Sequence, residues 1–238
     1  MGIKQDRRRI VHRFYNHFAK DYDKSRYGAK EQKVTAKITK EVVSELFGDV
    51  KNKLFLDCGC GTGRFLEFFT KKGSRVIGVD ISENMLKIAK KKIPNVNLSR
   101  ADIFSLPFKN KVFDIILCSQ VLTHLHNYKA PLLEMGRVLK DRGIIIIDIR
   151  NILWPRRLSE ALIKRVIRKS SEEYSPDYIS IWGIKKICSE IDLAIDEFRG
   201  TGLSIKISGA ERMRKEIKRS DSNLKYIAPT LLLKIVKR

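Results

Sequence analysis

From Lys53 onward, short apolar runs alternate with segments of helical period, and this alternation constrains the fold more than any other property of the chain. Runs at Lys53 to Cys58, Arg75 to Asp80, Val96 to Ala101, Val112 to Ser119 and Ile144 to Ile149 read as strands. Several are apolar nearly throughout, as strands covered on both faces should be. Between them lie helical segments at Arg64 to Lys72, Ser82 to Lys92 and Pro131 to Lys140. Ser82 is placed to cap the second, and proline opens the third. Upstream, Lys30 to Phe47 repeats Val34, Ile38, Val42 and Leu46 every four residues, the stripe of a helix that packs on a sheet. The expected class is therefore α/β, with parallel strands joined by helices.

After Ile149 the pattern loosens. Pro155 is followed by a basic amphipathic segment, Arg156 to Lys169, and a polar stretch to Asp177, before strand-like runs return at Leu193 to Phe198 and Tyr226 to Val236. With no internal repeat or long linker, the 238 residues read as one domain, 1–238. A helical cap is expected over about 1–47 and a lid insertion over about 151–190. The longest aliphatic runs fall far short of the ~20 residues that cross a bilayer. The N-terminus, basic through Lys4, Arg7, Arg8 and Arg9, lacks a secretory pattern, so a cytoplasmic location is expected. Cys58, Cys60, Cys118 and Cys188 are too few and too irregular for a disulfide framework, and no metal-ligand spacing is present.

The segment LDCGCGTGRF carries the first chemical signal. An apolar strand ends at Asp57 and runs into Gly59, Gly61 and Gly63 before a helix begins. Glycines let a backbone turn sharply and approach a ligand with no side chain in the way. The acid at the mouth of the loop selects among ligands. Asp57 would repel a pyrophosphate but not a ligand carrying an ammonium and a sulfonium, and the GxGxG spacing is not that of dinucleotide sites. Asp80 closes the next strand, about twenty residues on, where a carboxylate can accept from both hydroxyls of a ribose.

Together with VIGVDIS, RADIFSLPF, FDIILCSQVLTHL, EMGRVLKDRGIIIIDIR and YIAPTLLLKIVKR, this loop resembles class I S-adenosylmethionine-dependent methyltransferases of the type 11-like group, in the order that family uses. The resemblance covers most of the chain. It implies a Rossmann-like, seven-stranded, mostly parallel sheet with helices on both faces and an antiparallel last strand, and S-adenosyl-L-methionine as cofactor. By the same resemblance, Asp57 and the three glycines would face the methionine portion, Asp80 the ribose, and Ile81 and Met85 the adenine. Asp102 would receive the adenine amino group with Ile103 beside it, Ser119 and Gln120 would lie below the methionine chain, and Tyr22 would cover the cofactor. Where many relatives have a proline and two glycines after the last helix, this chain has Lys140, Asp141, Arg142 and a single Gly143.

The acceptor is less constrained. Methyl transfer from a sulfonium needs in-line placement and exclusion of water, and a base only where the acceptor must lose a proton. His124 is the candidate for that base. The proline-proline-aromatic signature of exocyclic-amine methylation is absent, since Ser119 is followed by Gln120, Val121 and Leu122. Trp154, Tyr174, Tyr178 and Trp182 could line an apolar acceptor pocket under the lid. The leading expectation is a small or lipophilic acceptor. RNA methylation is the alternative, because a formal net charge of +22 attracts phosphates and also anionic membrane surfaces. A non-catalytic, cofactor-binding partner protein is the third. Oligomeric state is not legible.

Overall fold

A computed structural model of the chain describes residues 2–125, 127–153, 179–201 and 228–238. Two helices open the chain, α1 (Gly2–Tyr27) and α2 (Lys30–Phe47). The elements β1 (Leu54–Cys58), α3 (Arg64–Lys71), β2 (Arg75–Asp80), α4 (Glu83–Lys92), β3 (Asn97–Arg100) and β4 (Phe113–Cys118) follow. Then come α5 (Lys129–Val138), β5 (Leu139–Arg150), α6 (Ile181–Ser189), β6 (Leu193–Thr201) and β7 (Thr230–Lys237). The strands form one seven-stranded sheet in the order β3-β2-β1-β4-β5-β7-β6. Pairing is parallel from β3 to β5, and β7 runs antiparallel to both β5 and β6. This is the mostly parallel α/β sheet with an antiparallel last strand that the sequence leads one to expect.

Side chains alternate across the sheet, as a period of two requires. Leu56, Ile116, Ile145 and Ile147 point to the face covered by α5 and α6, whereas Phe55, Ile115, Leu117 and Ile146 point to the face covered by α2, α3 and α4. On the second face Phe55 and Phe69, both fully buried, lie with ring centroids 4.5 Å apart, and Phe47 meets each edge-on at 5.9 and 5.7 Å. The amphipathic stripe of α2 supplies Val42, Val43 and Leu46 to this cluster. Ser82 caps α4, its hydroxyl accepting from the Met85 amide at 3.3 Å.

Two expectations are revised, and one departure finds its place. The helix expected over Pro131 to Lys140 spans Lys129–Val138, and Leu139 already pairs with Phe113. The departure from the family pattern at Lys140 to Gly143 lies in a register shift of β5, with Arg142 in the left-handed region at φ 63°. The expected insertion over 151–190 is too long at its end. Ile181, Ile184 and Cys188 of α6 are buried against the sheet, which makes α6 a core helix. Residues 154–178, including the basic amphipathic segment and three of the four expected pocket aromatics, lie outside the described residues. Trp182 is described, and it is 57% exposed on α6.

Candidate functional site

The carboxyl end of β1 runs directly into the glycine loop. The Gly59 and Cys60 amides donate to the Val79 carbonyl at 2.7 and 3.0 Å, which folds the loop back over β2. At Gly59, φ is 77° and a Cβ would stand 2.2 Å from Val121 Cγ2, so only glycine fits. At Gly61, φ is 53° and the space a Cβ would take is open. Gly63 has a different task. It is the N-cap of α3 with φ 83°, and its Cα faces Ala89 and Ile93 of α4.

Asp80 ties the loop to the next element. One carboxylate oxygen accepts from the Gly61 amide and the other from the Ser82 amide, each at 2.8 Å. Burial raises its pKa above the ordinary carboxylate value, opposed by the backbone amides that hold its charge. Asp57 is 2% exposed behind the loop, and burial pushes its carboxyl up to about 7, against the attraction of Arg64. Asp102, just past β3, accepts from the Phe104 amide and from Arg8 Nη1, both at 3.0 Å. At the tip of β4, Gln120 adopts φ 59°, and its amide donates to Asp148 at 2.5 Å. The Ser119 hydroxyl reaches the same carboxylate at 3.2 Å.

Helix α1 roofs this strand-end crevice. Asn16 Oδ1 accepts from the Ser82 hydroxyl and the Asn84 amide, both at 3.1 Å, while Asp23 accepts from the Thr62 hydroxyl at 2.7 Å. Tyr15 and Tyr22, seven residues apart and so on one helical face, point inward. The Tyr15 hydroxyl lies 2.8 Å from His124 Nε2, and the Arg7 guanidinium donates to the His124 carbonyl at 3.1 Å. His124 is 5% exposed. Burial first, and then the charges of Arg150, Arg26 and Arg7, push its pKa down to about 3, so the ring is neutral at ordinary pH. Burial likewise raises the Tyr15 phenol.

Ten of the twelve residues expected at a cofactor line one cavity under α1: Tyr22, Gly59, Gly61, Asp80, Ile81, Met85, Asp102, Ile103, Ser119 and Gln120. His124 lines it too. Asp57 and Gly63 do not, the first lying behind the loop and the second serving helix packing. Sequence reasoning missed Arg8, Tyr15 and Asp148. For Asp148 a signal existed, since it is an acid inside the apolar run IIIIDI, where Ile145, Ile146, Ile147 and Ile149 are buried around it.

The fit to S-adenosylmethionine can be judged from the cavity itself. Its walls pair an apolar floor of Ile81, Met85 and Ile103 with carboxylates at two separated points, Asp80 and Asp102, and the loop beside Asp80 presents a side-chain-free surface at Gly61. An adenine-sized apolar group flanked by hydrogen-bond donors suits that chemistry, whereas a pyrophosphate does not.

Comparison with known proteins agrees. A family model described as a methyltransferase domain matches residues 56–147. A malonyl-[acyl-carrier protein] O-methyltransferase of Hamiltonella defensa is 32% identical over 157 residues, which is 65% of this chain and 59% of that protein. A demethylmenaquinone methyltransferase of Staphylococcus aureus is 35% identical over 143 residues, 57% of this chain and 58% of that protein. The chain thus spans about three-fifths of the length of these relatives. Among solved structures, magnesium protoporphyrin IX methyltransferase from Synechocystis with bound SAH superposes with a TM-score of 0.72 at 19% identity, covering 97% of this chain and 100% of that one, a likeness of fold. Residues 56–147 thus match a methyltransferase domain, and the sheet built around them has the fold of solved S-adenosylmethionine-dependent methyltransferases.

Proposed function

We propose that the protein transfers a methyl group from S-adenosylmethionine to a small or lipophilic acceptor, and that the chain acts as one domain. The observation that carries this reading is the roofed strand-end cavity, with its apolar floor, its two carboxylates and its bare loop. Asp80 would hold the ribose hydroxyls and Asp102 the adenine amino group, with Ile81, Met85 and Ile103 against the ring. Gly59, Gly61, Ser119, Gln120 and Tyr22 would surround the methionine portion, and Asp57 would act on it through charge from behind the loop. The relatives' names support the acceptor class, because malonyl-acyl carrier and demethylmenaquinone are carried or lipophilic small groups. Four free, buried cysteines are what a reducing compartment maintains, which supports a cytoplasmic location.

The cofactor supplies, when bound, a methyl group on a sulfonium with a neutral thioether as leaving group. The chain's own part is placement. Apolar walls and the α1 roof exclude water. The same burial and cationic surroundings that keep His124 neutral make it a weak base, so its part would be to hold the Tyr15 hydroxyl by a hydrogen bond, and Tyr15 would orient the acceptor rather than take its proton.

The test is to offer the purified protein methyl-labelled cofactor with separate small-metabolite, lipid and RNA extracts. Label is expected in the metabolite or lipid fraction. Label confined to RNA would overturn the acceptor class, and absence of label in every fraction alongside tight binding of S-adenosylhomocysteine would overturn the activity. With the labelled acceptor in hand, Tyr15→Phe and His124→Ala should each lower kcat while leaving S-adenosylhomocysteine affinity nearly unchanged.

A further inference from the structure

A second concavity, about 560 Å³ in volume, lies outside the roofed cavity. Its walls are α2, the start of α3 and the C-terminal ends of α1 and α4. Lys33, Lys37 and Lys40 of α2 fall at helical spacings of four and three and share one face. Across from them stand Arg64 and Lys92. Three acids also line the groove, and each is engaged. Asp23 is taken up by the Thr62 hydroxyl and by Lys92, Glu67 pairs with Lys71 at 2.7 Å, and Glu41 has a partner of its own.

Among the described residues, Lys33, Lys37, Lys40 and Arg64 face this groove with no carboxylate within ion-pair distance. Two of these cations rest on aromatic rings instead. Arg64 lies 4.9 Å from the Tyr27 centroid, and Lys40 lies 5.7 Å from that of Phe68. Burial and the like charges of Arg64, Lys71 and Lys92 lower the Lys40 pKa, with only Glu67 acting the other way among the main influences. With five cations against three carboxylates along its walls, such a site gains from a further anion. Spacing then sets the size of the anion. At 1.5 Å per residue, Lys33 and Lys40 are about 10 Å apart along α2. That distance is too long for one phosphate and suits a chain of two or three.

We propose that the groove between α2 and α3 is a binding site for the di- or triphosphate group of a small ligand, contacted by Lys33, Lys37, Lys40 and Arg64. Arg64 contributes the planar fork suited to bidentate phosphate contact, and the lysines contribute point charges along the chain. The site is separate from the roofed cavity, and its occupancy does not depend on the identity of the methyl acceptor.

The test is titration of the intact protein with inorganic triphosphate, followed by calorimetry in chloride buffer of fixed ionic strength. The net charge of +22 demands a control for diffuse attraction. The variant Lys37→Gln/Lys40→Gln is therefore compared with Lys185→Gln/Lys186→Gln, which removes the same charge from the far side of the sheet on α6. Saturable one-to-one binding is expected, weakened roughly tenfold or more by the first variant and less than about twofold by the second. S-adenosylhomocysteine affinity should be unchanged in both. Equal weakening by the two variants, or no saturation at millimolar triphosphate, would overturn the proposal. So would phosphatidylglycerol vesicles or RNA binding through Lys37 and Lys40 while free triphosphate does not, since the partner would then be a surface or a polymer.

Discussion

Asp80 does two things with one carboxylate. It holds the Gly61 and Ser82 amides, and it offers its remaining lone pairs to the cavity. Asp80→Ala should therefore weaken S-adenosylhomocysteine binding by about 1.5 to 3 kcal/mol, the scale of a charged hydrogen bond, and lower Tm as well because two loop amides lose their acceptor. Calorimetry returning wild-type affinity would remove the ribose assignment. Asp57 makes a prediction in pH. With its carboxyl pushed up to about 7, the empty protein holds a proton there that the unfolded chain has released above its ordinary value of 3.8. The stability that this group contributes is full below that ordinary value and is lost as pH rises through 7. A cation bound in front of the loop favours the charged form. Cofactor affinity should accordingly rise between about pH 6 and 8, with proton uptake by the buffer. Calorimetry in two buffers of different ionisation enthalpy reads the proton directly. A slope that persists in Asp57→Asn would assign it to another group.

At the scale of elements, α1 is held to the domain mainly by polar contacts at its inner face. Asn16 is the central one, with Oδ1 accepting from two donors on the α4 N-terminus and its carbonyl accepting from Asn84 Nδ2 at 2.9 Å. Asn16→Ala removes the two side-chain bonds and leaves the third, which should cost about 1 to 2 kcal/mol of docking. Hydrogen exchange should then show faster exchange across α1, with β1, β4 and β5 unchanged. Uniform acceleration through the sheet would mean instead that α1 is part of the cooperative core. The same helix marks the limit of what could be read from sequence. The boundaries of α2, β2 and α4 were legible because local rules set them, namely an apolar repeat, an apolar run ending in an acid, and a serine cap. Asp80 was legible for the same reason, since it ends its own strand, whereas Asp102 was legible only through the family resemblance of RADIFSLPF. Tyr15 and Arg8 were not. They reach His124 and Asp102 across 109 and 94 residues of chain, and no local pattern encodes a contact made by docking a whole helix. The end of α5 was misplaced because Leu139 to Gly143 carries turn-forming residues inside what is a strand with shifted register.

For the whole molecule the dominant long-range quantity is the excess of cations. With 49 Lys and Arg against 27 Asp and Glu, most basic side chains have more like than unlike neighbours over a Debye length. Added salt has two opposed effects. It weakens exposed pairs such as Lys71–Glu67 and Lys111–Asp141, which solvent already screens. It also screens the repulsion among the surplus charges, which acts on every one of them at once. Repulsion should win, so Tm should rise as sodium chloride is raised from roughly 0.01 to 0.15 M, where the Debye length falls from about 30 to about 8 Å. Calorimetric scans at fixed pH measure this, and a falling Tm would show that the attractive pairs outweigh the surplus. Chloride is the salt to use, because phosphate would add occupancy of the α2–α3 groove to screening. At matched ionic strength, the difference between a triphosphate scan and a chloride scan then separates the two effects. That difference should vanish in Lys37→Gln/Lys40→Gln if the extra stabilisation comes from binding to the folded state.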